Sequence, residues 1–241
     1  MANANTTWAV HEHGPIEKLA ENLWWVSGAV PKMSLKRCMT VARLADGRLV
    51  IHNAVALDDA GMRELEAWGT PAFLIVPSAF HRLDAPRFKQ RYPSITVLAP
   101  HGARENVDDA VKVDGRYEDF PADDRVRLRT LNGTKQREGV MLVRSDDGTT
   151  VVLNDIVMNM DKKTDLMGYL MTTLMGSAPG PRVSRLAKLM LVGDQAALRH
   201  ELETFAEMPD LVRVIVAHEK VATGADAKVC LQGAMGYLTA T

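Results

Sequence analysis

Residues 37–54 read Arg-Cys-Met-Thr-Val-Ala-Arg-Leu-Ala-Asp-Gly-Arg-Leu-Val-Ile-His-Asn-Ala. Two runs rich in apolar and β-branched residues flank Asp46-Gly47, a pair that tolerates the positive φ of a tight hairpin turn. The pattern predicts strands over 37–44 and 48–54, and the apolar run 23–30 adds another strand ahead of them. The chain therefore opens with antiparallel strands.

Downstream the period changes. Residues 58–68 begin with acidic side chains and end at Gly69, which predicts a helix. Residues 72–76 form a short apolar run suited to a buried strand. Residues 84–92 predict a second helix, with Asp84 as N-cap and Pro86 tolerated in the first turn. Residues 95–99 predict a further strand. A hairpin followed by βαβαβ implies a mixed sheet with helices outside it.

The second half repeats the theme. Strands are predicted over 125–131, 139–144 and 149–154, the last two around a second turn, Asp146-Asp147-Gly148. Helical segments follow over 164–175, 182–191 and 194–206, then a buried strand over 212–217 and a closing helix over 226–238. The stretch 177–181, with Gly180 between two prolines, is a loop. Two such halves imply two sheets packed face to face with helices on both outer faces, an α/β fold of four αββα layers. Residues 1–241 are read as one domain, with 1–22 an N-terminal extension. In such a sandwich the site belongs on loops at strand ends, here those after Val76, Asn154 and Ala217.

Composition agrees with an ordinary globular chain. Of 241 residues, 46% are apolar and 24% charged, and the net charge is −1, so nothing electrostatic points to nucleic acid or an anionic membrane. Cys38 and Cys230 lie far apart and form neither a CxxC pair nor zinc-finger spacing; two reduced thiols are the simple reading. The first ten residues lack the pattern of a signal peptide, and no apolar run approaches the roughly 20 residues of a membrane helix. A cytoplasmic protein acting on a small molecule is the expectation, with the oligomeric state left open. Nucleotide loops and the Gly-x-Ser-x-Gly elbow are absent.

The three strand-end loops carry a resemblance. The hairpin Met39 to His52, the segment Val76-Pro-Ser-Ala-Phe-His81-Arg-Leu-Asp84, and Phe88-Lys-Gln-Arg-Tyr-Pro93 resemble metallo-β-lactamase-superfamily proteins. So do Leu153-Asn-Asp155-Ile-Val-Met-Asn159 and Val214-Ile-Val-Ala-His218. The order and spacing over residues 23–220 are most similar to a family of unknown function inside that superfamily, in which Pro-x-x-x-His replaces the usual metal box. That box reads His-x-His-x-Asp-His, with a proline about a dozen residues later. Counting back from Pro93 puts its last histidine on His81 and the other positions on Val76, Ser78 and Phe80, none of which offers an imidazole or carboxylate. A further superfamily histidine belongs in the region of Asn132 to Glu138, which has none.

The resemblance thus implies a metallo-β-lactamase-type sandwich with its first metal site gone and a second reduced to His81, Asp155 and His218. Two imidazoles and one carboxylate suffice for a single Zn²⁺, Fe²⁺ or Mn²⁺. The implied activity is hydrolysis of an ester, thioester, lactone or phosphoester by a metal-bound water. Glu138 and Asp84 are the candidates for a fourth ligand or general base. The opposing reading binds no metal and keeps the fold as a non-catalytic binding or interaction module, with the same residues hydrogen-bonded to one another.

Each of these residues also has a plainer role open to it. His81 could brace its loop by hydrogen-bonding backbone, Asp155 could be satisfied by a helix cap or an Arg or Lys partner, and His218, also at a strand end, is equally open to a structural role. Asp84 suits an N-cap, and Glu138, close to Lys135 and Arg137, suits a solvated or ion-paired position. His11-Glu12-His13 lies ahead of the first strand and reads as a solvated or packed tail. His52 and His101 read as structural, and Arg182, Arg185 and Lys188 as a solvated helix face. Met167, Met171 and Met175 repeat at helical spacing and read as core, the alternative being an apolar lip beside the site or a dimer contact.

Overall fold

In a computed structural model, residues 7–239 are described; the first six residues of the 1–22 extension and residues 240 and 241 of the 1–241 domain lie outside that range. The chain order begins with β1 (Glu17–Ala20), β2 (Leu23–Ala29), β3 (Lys36–Arg43) and β4 (Arg48–His52). It continues through α1 (Asp59–Trp68), β5 (Thr70–Ile75), α2 (Ala85–Arg91), β6 (Thr96–Ala99), α3 (Arg104–Asp108) and β7 (Gly115–Arg116). The second half holds β8 (Val126–Thr130), β9 (Gly139–Ser145), β10 (Gly148–Val152), α4 (Leu166–Tyr169), α5 (Arg185–Met190) and α6 (Gln195–Ala206). It closes with β11 (Leu211–Ile215), β12 (Val221–Thr223) and α7 (Ala225–Met235).

The first sheet has the order β1-β2-β3-β4-β5-β6-β7 and the second the order β12-β11-β10-β9-β8. Antiparallel pairing runs from β1 to β4, and β4 to β7 pair in parallel. The switch is what a hairpin followed by βαβαβ requires, because parallel neighbours need a helical crossover. Gly47 takes φ +86° in the first turn and Gly148 φ +134° in the second, conformations that a Cβ disfavours.

Burial sorts the side chains into layers. Leu23, Trp25, Phe73 and Ile75 of the first sheet meet Val126, Met141, Val152 and Ile215 of the second in one buried cluster. The opposite face of the first sheet, through Val41, Leu49 and Val97, packs on Met62, Phe88 and Val107 of α1, α2 and α3. The outer face of the second sheet, through Val140, Val151 and Val214, packs on α5, α6 and α7. Helix, sheet, sheet, helix is therefore the layer order, as the sequence pattern predicts.

Several elements are absent from the sequence-based expectation. β1, β7 and β12 are two to four residues long, too short to show an alternating pattern. The segment predicted as one helix over 164–175 is four residues of α-helix continued by a π-helical turn, Leu170–Leu174. Its methionine stripe is not core: Met167 is exposed, and Met171 and Met175 are half-buried. Among the described residues, no helix is long and apolar enough to cross a membrane.

Tyr117 is fully buried between the sheets, against the start of β9. A Cβ at Gly139 would lie 2.0 Å from its Cε2 atom. Gly139→Ala is expected to destabilise the fold by about 1–3 kcal/mol or more through overpacking, read as a lower urea midpoint.

Candidate functional site

Parallel pairing of β10 with β11 sets Val152 opposite Ile215. Three residues beyond each lie Asp155 and His218, so the register delivers both to one end of the second sheet. The loop leaving β5 brings His81 to the same place from the first sheet. A backbone bond from Cys38 N–H to the Ala217 carbonyl, 2.8 Å, ties the two sheets together beside it.

Asp155 is the centre of this cluster. Its Oδ1 lies 2.8 Å from His81 Nε2 and 3.4 Å from His218 Nε2. Its Oδ2 accepts a hydrogen bond from Ser78 Oγ at 3.2 Å, and Ser78 Oγ in turn accepts from the Phe80 N–H. One ligand atom from each of His81, Asp155 and His218 lies within 4.8 Å of the others, close enough to share one ion. His218 Nδ1 sits 2.7 Å from the Lys36 carbonyl. A carbonyl only accepts, so Nδ1 carries a proton there, and Nε2 can donate to Asp155 only in the doubly protonated ring.

The electrostatics follow from this packing. Burial pushes the Asp155 carboxyl upward, but the charge of His81 and the hydrogen bonds from both imidazoles outweigh it and hold the group well below the usual carboxylate range. Burial pulls His218 down, and its hydrogen bond to Asp155 and that group's charge carry it above its ordinary value. His52, the last residue of β4, is pushed down to about 3 by burial and then by the charge of His81, and its Nε2 has no hydrogen-bond partner among the described residues.

The other two candidates are placed differently. Asp84 stands just ahead of α2 but makes no side-chain cap. Its carboxylate is instead buried between Arg37 and Arg87 and accepts the Ala56 N–H at 2.9 Å. Two guanidiniums outcompete a single helix N–H for a carboxylate withdrawn from water. Asp84 is thus a strut joining β3, α2 and the loop after β4, and lies outside the donor group.

Glu138 is not solvated or ion-paired. It is fully buried just ahead of β9, with Asn154 Nδ2 at 3.4 Å from its Oε1 and no partner for its Oε2 among the described residues. Burial, then the charge of Asp155, raises its carboxyl well above the usual range.

Outside the cluster, His13 is packed rather than solvated, since its Nε2 accepts the Asp58 N–H at 3.1 Å. The residues that sequence reasoning left out of the site are Ser78 and Arg37. Ser78 had a signal in its position directly after a strand-end Val-Pro. Arg37 had one too, as a charge at the start of the run that predicts a strand over 37–44.

The cluster opens into a cavity of about 360 Å³. Val30, Leu35, Met158, Met160 and Leu191 are among its walls, and Phe80, 60% exposed, stands beside His81 at its edge.

No protein-family model and no curated protein sequence matches the chain. Solved structures do. The DIM-1 metallo-β-lactamase exposed to ceftazidime superposes with a TM-score of 0.60 over 93% of this chain and 97% of its own, at 13% identity. A metallo-β-lactamase from Pontibacter korlensis gives 0.60 over 93% and 98%, at 9% identity. One from Erythrobacter litoralis, with β-mercaptoethanol in its active site, gives 0.56 over 90% and 94%, at 16% identity. The chain has the metallo-β-lactamase fold. Within that fold, His81, Asp155 and His218 lie on strand-end loops contributed by both sheets.

Two predictions concern the frame of the site. Asp84→Ala strands two buried guanidiniums and is expected to cost about 3–5 kcal/mol in urea unfolding. His52 refuses a proton in the folded chain that the unfolded chain accepts between about pH 6.5 and 3, so it lowers stability as pH falls through that window. The stability advantage of the parent over His52→Gln should therefore shrink by about 1–2 kcal/mol between pH 7 and 5. A difference independent of pH would refute the buried neutral imidazole.

Proposed function

We propose that the chain is a metal-dependent hydrolase with a single centre at His81, Asp155 and His218. The observation that carries this reading is the convergence of two Nε2 atoms on one carboxylate oxygen, with His218 oriented from behind by the Lys36 carbonyl. A backbone acceptor on the far nitrogen is the arrangement that fixes the tautomer of a ligating histidine. The donor set, two imidazoles and one carboxylate, fits a divalent transition metal.

A bound divalent ion would supply Lewis acidity and bring the pKa of a water toward neutrality. The remaining work falls to the chain. Ser78 holds Oδ2 of Asp155 and turns Oδ1 toward the imidazoles. The cavity walls keep bulk water away and so strengthen electrostatic effects at this end. Asp84, bound by Arg37 and Arg87, is unsuited to act as base, and Glu138, buried with Asn154 as its partner, lies outside the three-residue cluster.

One observation favours a second reading, a non-catalytic binding module. Asp155 already has protein partners for both oxygens, so the cluster is satisfied without an ion. Elemental analysis separates the two. The untagged protein, dialysed and reloaded with zinc, iron or manganese, is expected to hold about one ion per chain. His218→Ala should lose it while keeping the parent circular dichroism, and Ser78→Ala should weaken metal affinity about 10- to 100-fold. No uptake of any of the three metals would leave the binding module as the function.

A further inference from the structure

The cavity differs chemically along its length. Five methionines border it, Met33, Met158, Met160, Met171 and Met190. The charged or titratable groups among its lining residues are Arg37, His81, Asp155 and His218. Arg37 is neutralised by Asp84, and its guanidinium also donates to the Ala54 carbonyl at 2.7 Å. Polar chemistry is therefore gathered at the Asp155 cluster, and the walls beyond it carry no charge that is free to meet one on a ligand. Asn53 and Ser184 also line it, engaged with the Cys38 carbonyl and the Ala187 N–H, and Ser177 Oγ is buried there with no hydrogen-bond partner among the described residues.

Methionine is unbranched and flexible, so a wall built from it accommodates a chain of many conformations better than a rigid ring system. The size, about 360 Å³, falls at the small end of the range for ligand sites, about 300–1,000 Å³. The entrance is apolar as well. Phe80 and Leu83 are exposed and border the cavity, and Leu189, 73% exposed, precedes the bordering Met190 on α5.

We infer that the substrate is a neutral ester or thioester with a flexible apolar tail, its tail held in the methionine-lined chamber and its carbonyl at His81, Asp155 and His218. This rests on the hydrolase reading for the reaction, but not for the chamber. In the reaction, water adds to the carbonyl carbon and the bond to the leaving oxygen or sulfur breaks. One proton of that water passes to the leaving alkoxide or thiolate, giving a carboxylic acid and an alcohol or thiol.

Chamber and chemistry can be tested apart. The neutral fluorophore N-phenyl-1-naphthylamine is bound to the full-length protein without added metal and displaced by straight-chain primary alcohols of four to twelve carbons. Affinity is expected to rise about three- to fourfold per added methylene until the chamber is filled, then to level off. Met171→Glu and Met33→Glu, on separate segments, should each weaken binding of the longer alcohols at least tenfold in protein that keeps the parent circular dichroism. Affinity without chain-length dependence, or unchanged in both folded variants, overturns the inference. The metal-loaded protein is then assayed with p-nitrophenyl esters from acetate to decanoate, where kcat/KM should climb with chain length. Alcohol binding that grows with length without turnover of any ester would retain the chamber and sink the hydrolase. Turnover indifferent to length, with no alcohol binding, would retain the hydrolase and sink the chamber.

Discussion

A carboxylate removed from water needs compensation, and Asp155 sets that requirement at the end of β10. It is met from three directions: Ser78 and His81 on the loop after β5, and His218 on the loop after β11. Those loops belong to different sheets, so satisfying one side chain fixes how the two halves of the sandwich meet at this edge. The bond between Cys38 and Ala217 and the anchoring of His218 on Lys36 do the same through the backbone. The site and the seam between the sheets are one construction.

A second buried carboxylate solves its problem differently. Asp84 is surrounded by Arg37, Arg87 and the Ala56 N–H, a fully compensated cluster. Asp155 has imidazoles instead of guanidiniums. A guanidinium stays charged at any physiological pH, whereas an imidazole can be a neutral donor of a lone pair. The Asp84 cluster therefore braces α2 and the loop that carries His81, and only the Asp155 cluster has the chemistry to exchange a proton or accept an ion. Glu138 is a third case, with one oxygen left without a partner among the described residues, and its burial raises the carboxyl well above the usual range.

Much of this was legible in the sequence because it rests on short-range patterns. Asp46-Gly47 and Asp147-Gly148 mark hairpins by turn chemistry, and apolar runs such as 72–76 and 212–217 mark buried parallel strands by length. Asp155 and His218 stood out as polar residues ending such runs. The fates of Asp84 and Glu138 were not legible, because each depends on partners from distant segments: Arg37 is 47 residues from Asp84. An Asp before a helix carries the same local signal whether it caps the helix or binds two arginines. The methionine stripe misled for a related reason. Helical spacing shows that Met167, Met171 and Met175 share a face, but not whether that face meets a core, a cavity or solvent.

Val76, Ser78 and Phe80 show how a short loop divides its labour. Val76 is buried in the layer beneath α2, Ser78 donates to Asp155, and Phe80 turns outward at the edge of the chamber. Regular strand geometry ends at Ile75, so residues 76, 78 and 80 are not held to the common face that a strand would give them, and one polar residue can reach the carboxylate while an aromatic one extends the apolar wall. A polar side chain at residue 80 would have placed a further ligand or donor at the mouth. Phenylalanine there instead continues the hydrophobic surface from the methionines to the entrance. Ser78 and Phe80 lie on the same loop that supplies His81, within three residues of it, so a change that reshapes the entrance would also shift an imidazole at the centre.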